Sequence, residues 1–209
     1  MAANAANFFF ANAVRIRSLG IVALLALFTA GCGVNAIPTY EEQAKAKWGE
    51  VQNQYQRRSD LIPNLVETVK GFAQQERDVL TAVVEARAKA TQIRIDASQI
   101  TDAEALKRFQ DAQQQLSGAI GRLLAVAEAY PDLKSSQNFL TLQAQLEGTE
   151  NRIAVARRDY IEAVRIYNTE LRTFPGILWA STLYRDAKPM ATFTIPEEQM
   201  RVPNVKFTK

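Results

Sequence analysis

The 209-residue chain has no histidine and only one cysteine. Without imidazole there is no Ser-His-Asp or Cys-His arrangement, and no zinc site built from His or Cys clusters. A lone thiol cannot close a disulfide within the chain. Glycine (9) and proline (7) are both scarce, and the prolines lie mostly at junctions or in the last third. There is no Gly-rich phosphate loop, no carboxylate-rich metal loop and no paired-carboxylate cleft signature for glycoside chemistry. The expectation is therefore a protein that is not an enzyme and carries neither cofactor nor metal.

One-sided charge is missing too. Lys and Arg number 25 against 22 Asp and Glu. Residues 1–31 contain Arg15 and Arg17 and no acid, so the remainder is nearly neutral. Positive and negative residues interleave along the helices without a basic run, which argues against nucleic acid as a partner. With 47% hydrophobic and 22% charged residues, the chain has the composition of an ordinary globular domain behind a distinct N-terminus.

That N-terminus carries Arg15 and Arg17, then an apolar run from Leu19 to Thr29, then Ala30-Gly31-Cys32. The run is short for a bilayer crossing, which needs about 20 residues. Basic residues, a short apolar core and small residues before a break have the form of a secretory signal, here residues 1–31. T-A-G-C resembles a bacterial lipobox, with Thr29 where Leu is commoner, and Cys32 stands where a lipoprotein takes its diacylglycerol. The alternative is an uncleaved membrane helix with a chance thiol. Gly33 after the cysteine resembles the default sorting signal for the outer membrane of two-membrane bacteria. Residues 1–13 do not suit a signal, so the expected start of translation is Val14. Residues 32–40 would be the lipidated tether.

The rest, residues 41–187, shows helical periodicity. From Ile62 one apolar stripe runs through Leu65, Val69, Phe72, Glu76, Val79, Val83, Ala86, Ala90 and Ile93 in steps of three and four. A period of 3.5 places these residues on one face of a long helix that packs against others. Val51 and Tyr55 extend the stripe toward the N-terminus. Pro63 cannot donate to Ser59, so a kink or a fresh start is expected near Ser59–Asp60. Thr101 and Glu104 form a capping-box pattern ahead of a second stripe from Ala105 to Tyr130. Tyr130-Pro131 breaks that helix. A third stripe runs from Phe139 to Leu171, and a short helix is expected at Ile177–Tyr184. The predicted fold is all-α: an antiparallel up-and-down bundle of three long helices plus a short fourth, with an extended tail over 188–209. The tail reads as a strap along the bundle or as a strand that docks a partner.

R-R-S-D-L-I-P-N-L-V-E-T-V-K-G-F (57–72), E-A-R-A-K-A (85–90), L-L-A-V-A-E-A-Y-P-D-L-K (123–134) and E-N-R-I-A-V-A-R-R-D-Y (150–160) resemble the LemA family. So do Y-N-T-E-L-R-T-F-P (167–175) and V-P-N-V-K-F (202–207). The resemblance covers roughly residues 40–207 and implies an antiparallel helical bundle tethered to a bacterial membrane, with no established enzymatic activity. Magnetosome-associated relatives imply a role in membrane organisation. The family's usual N-terminal membrane helix is replaced here by the lipobox.

Two residue sets stand out as candidate sites. Glu76 lies on the apolar stripe, so it is either a buried acid with a raised pKa or one half of a register-fixing pair with Arg157, Arg158 or Arg165. Arg57, Asp60, Asn64, Glu67 and Asp78 form the opposite polar face, which is either a solvated surface or a surface for a partner. The expected function is a non-catalytic helical scaffold or interaction module. It would be anchored in the membrane through lipidated Cys32, facing the periplasm, and bind an envelope protein or a second copy. The alternatives are an inner-membrane protein with an uncleaved helix, and an enzyme using the acidic site around Glu76.

Overall fold

Apolar residues spaced three and four apart must find a dry surface, and the computed structural model shows how they do so over residues 33–194. Among these residues all the regular structure is helical. The helices are α1 (Ala36–Phe72), α2 (Arg77–Gln92), α3 (Ala103–Ala127), α4 (Pro131–Lys134), α5 (Gln137–Glu170) and α6 (Gly176–Thr182), with a 3-10 turn at Ala97–Gln99. The chain divides into two compact units, one of residues 40–168 and 188–194 and the other of residues 33–39 and 169–187.

In the larger unit one core is shared by α1 (Ile62, Leu65, Val69), α2 (Leu80, Val83, Ala90), α3 (Leu116, Leu123) and α5 (Phe139, Leu146). The all-α bundle expected from periodicity is present. The first helix departs from expectation, because the stripe from Ile62 to Ile93 is carried by two helices. The chain reverses at Ala73–Glu76, and α2 runs back along α1. Arg87 Nε meets the Ser59 carbonyl at 2.9 Å, and Trp48 Nε1 meets the Ile95 carbonyl at 3.0 Å. The larger unit therefore has four principal helices rather than three. Phe72 is 45% exposed and Glu76 is half-buried. These two stripe positions flank the reversal, where no facing helix can cover them. Gly71 followed by the polar run Gln74 to Asp78 was the available signal for a turn.

Pro63 interrupts nothing, since α1 continues through it. The carbonyl it leaves without an intrahelical donor is that of Ser59. That carbonyl accepts the Arg87 guanidinium of α2 instead, so the helix keeps its backbone satisfied through a tertiary contact. Pro38 likewise falls within α1, which begins at Ala36 rather than Glu41. The first-turn amides have no intrahelical acceptor, so a proline there sacrifices no bond. The cap of α3 is Asp102 rather than Thr101. Its Oδ1 accepts from the Glu104 and Ala105 amides at 2.9 and 3.1 Å. Pro131 ends the preceding run as expected and opens α4.

Residues 188–194 form a strap on the larger unit. Asn168 and Met190 exchange two hydrogen bonds, Nδ2 to carbonyl and amide to Oδ1, each 2.9 Å. The Tyr160 hydroxyl donates to the Ala191 carbonyl at 2.9 Å, and Phe193 is buried. The reading of the tail as a strap holds to Thr194. The remainder of 188–209 lies outside the described residues, as do the signal, Cys32 and the expected start at Val14.

In the smaller unit α6 follows the cis Phe174–Pro175 bond. A Cβ on Gly176 would run into the Glu170 carbonyl oxygen, so only glycine fits there without a shift of the backbone.

Candidate functional site

Extending the first apolar stripe toward the N-terminus in steps of four and three leads from Ile62 to position 58, then to Tyr55, Val51 and Trp48. Position 58 is an arginine. The helix period therefore drives a guanidinium into the core, where it is 1% exposed. A buried charge needs partners, and two other helices supply its hydrogen bonds. Arg58 Nη1 donates to Ser117 Oγ (2.7 Å) and Glu150 Oε1 (2.8 Å). Nη2 donates to the Gln113 carbonyl (3.2 Å) and to Gln113 Oε1 (2.7 Å). Arg58 also lies over the Tyr55 ring, 5.0 Å from its centroid. Its Nε has no hydrogen-bond partner among the described residues. This contact ties α1 to α3 and α5 and makes their register specific.

Beside it opens a cleft of about 470 Å³ whose walls include Arg58, Gln110, Gln114, Glu150 and Arg157. Carboxamides and guanidinium groups suit it to hydrogen-bonding a small polar molecule, and it offers no imidazole or thiol. Burial raises the Tyr55 hydroxyl above its ordinary pKa, while Arg157 and Arg58 nearby pull it back. An aromatic cluster supports this wall. Trp48 packs edge-on to Phe109 at 5.4 Å, Tyr160 lies 5.3 Å from Trp48, and Arg157 stacks over Phe193 at 4.5 Å.

The sites expected from sequence fare differently. Glu76 is not buried and does not pair with Arg157, Arg158 or Arg165. It sits half-buried in the α1–α2 turn and accepts the Tyr130 hydroxyl at 3.0 Å. That hydrogen bond holds the Tyr130 hydroxyl above its usual range. The reason is the reversal at Ala73–Glu76, which removes Glu76 from the seam. Arg57, Asp60, Asn64 and Glu67 are all exposed on α1, whereas Asp78 is exposed on α2, so the polar face is split. Asp60 accepts from Gln56 at 2.7 Å, and Glu67 pairs loosely with Lys70 at 3.4 Å. Arg58 was missed because its neighbours Arg57 and Ser59 read as polar face. The missing beat between Tyr55 and Ile62 was the signal that marked it.

The LemA family's sequence pattern matches residues 47–207. The chain belongs to the LemA family. Magnetosome protein MamQ 2 of Paramagnetospirillum magneticum is 27% identical over 176 residues, covering 77% of this LemA-family chain and 64% of that protein. Magnetosome protein MamQ of Magnetospirillum gryphiswaldense is 26% identical, covering 68% and 58%. Protein LemA of Metamycoplasma hominis is 23% identical over 124 residues, covering 59% and 52%. The chain thus spans between about half and two-thirds of each of these relatives. No helix among the described residues is long and apolar enough to cross a membrane.

Proposed function

We propose that this LemA-family chain is a non-catalytic scaffold of the bacterial cell envelope, anchored by lipid on Cys32 and presenting its helical bundle to a partner protein in the periplasm. The observation that carries this reading is the exposed row Arg57, Asp60, Asn64 and Glu67 on α1, a helix whose opposite side is fully buried. The buried side holds the helix rigid, so the row offers both charge signs and a carboxamide in one orientation. Such preorganisation lowers the entropy cost of binding. The magnetosome relatives support a role in membrane organisation, and Gly33 after the cysteine supports the outer membrane over the inner.

A photoreactive residue at position 64 in intact cells tests the partner reading. The expected result is a discrete protein adduct from Asn64 and none from exposed Glu147 on α5. Equal, diffuse labelling from both positions would refute it. Mass spectrometry of the N-terminal peptide tests the anchor: an acylated Cys32 is expected. An intact peptide running through residues 14–32 would establish the uncleaved inner-membrane alternative.

A further inference from the structure

The exposed large apolar side chains are unevenly distributed. Nine occur among the described residues, and four of them, Phe174, Ile177, Leu178 and Leu183, fall within ten consecutive positions of the smaller unit. They are 78%, 46%, 49% and 62% exposed. The other five are scattered singly, as is normal for any surface. Ile177 and Leu178 are neighbours in the first turn of α6, and Phe174 stands two residues ahead of its first residue, Gly176. The stretch also carries two exposed cations, Arg172 and Arg185, with Glu170 and the exposed Asp186 at its two ends.

The chain outside the described residues indicates what this apolar side meets. Gly33, the first described residue, has φ +105° and lies against Pro175. A Cβ there would stand 3.4 Å from the Pro175 ring. Cys32 precedes it by one residue, about 3.8 Å between Cα atoms, and the apolar run Leu19–Thr29 lies just upstream. Whatever anchors the N-terminus is therefore tied to the chain beside the start of α6. We propose that Phe174, Ile177, Leu178 and Leu183 form a membrane-contact surface that settles into the headgroup–acyl boundary of the bilayer holding the chain. Arg172 and Arg185 would rest among anionic headgroups. The proposal rests on the anchored reading above. Because the anchor raises the local concentration of bilayer at α6, a surface too small to bind alone suffices.

The test uses the full chain reconstituted in vesicles of phosphatidylethanolamine and phosphatidylglycerol. An environment-sensitive fluorophore is placed through Leu178→Cys and, as a control, through Asn64→Cys. The expected result is a blue-shifted emission at position 178, quenched by spin labels near the headgroups, with an aqueous emission at position 64. A chain that stays on the vesicles while the probe at 178 remains aqueous overturns the contact surface and leaves the anchor standing. A chain that leaves the vesicles overturns the anchor. Without the anchor nothing holds so small a surface at the bilayer, so that result overturns the contact surface as well. A blue shift that grows with protein concentration without vesicles assigns the surface to a second copy and likewise overturns the proposal.

Discussion

Truncating Arg58 to alanine removes a guanidinium that joins α1, α3 and α5. Four hydrogen bonds disappear, to Ser117, Glu150 and two oxygens of Gln113. Removing one member of a fully buried ion pair costs about 3–5 kcal/mol. Here the Glu150 side chain is 48% exposed and regains water when its partner goes, so the electrostatic part falls at the low end. Gln113 is 7% exposed and has no such recourse, and the vanished stem leaves a cavity. Together these give about 3 kcal/mol for Arg58→Ala. Arg58→Met refills most of the stem volume and should cost about 1 kcal/mol, the penalty of one unpaired carboxamide oxygen. Glu150→Gln should cost less than about 1 kcal/mol, as an exposed pair would. Thermal unfolding of the detergent-solubilised chain, followed by far-ultraviolet circular dichroism, reads these values at about 2–4 °C per kcal/mol for a protein of this size. The order of loss should be Ala, then Met, then the Glu150 variant. If Arg58→Ala melts within about 2 °C of the parent, the claim that this contact sets the register of the bundle is wrong.

Alkali should unfold the bundle. Burial raises the ordinary pKa of 10.0 for Tyr55, for Tyr160 and for Tyr167, the last to about 12. Each hydroxyl keeps its proton longer when folded, so this contribution is complete below pH 10 and is lost as pH rises toward 12 and beyond. Tyrosinate absorbance from these three residues should therefore appear only together with loss of helix. Complete ionisation of all six tyrosines of the chain with the helices intact would contradict it. Gly176→Ala should lower stability by about 1–3 kcal/mol through the clash with the Glu170 carbonyl, measurable as faster proteolysis near α6. Glu76→Gln should stay within about 0.5 kcal/mol of the parent in the same melts, because the group is half-buried and its amide oxygen can still accept from Tyr130.

Periodicity alone determined that the described residues fold as helices, most of the side chains that enter the core, and where Pro131 stops a helix. These are local properties, since a stripe repeating every three and four residues can be buried only along one side of a helix. The exposed row on α1 was readable for the same reason, as the complement of that stripe. Tertiary structure alone decided that the stripe from Ile62 to Ile93 folds back on itself. A seven-residue repeat continues unchanged through a tight reversal, so periodicity does not distinguish one rod from two, and the weak turn signal at Gly71 to Asp78 gains its meaning from the packing of α2 against α1. That reversal displaced Glu76 from the core and brought Arg87 to the carbonyl that Pro63 orphans. The partners of Arg58 were equally hidden, although the stripe pointed to its burial. Gln113 and Glu150 lie 55 and 92 positions away along the chain, and no local pattern connects residues that meet only when separate helices pack.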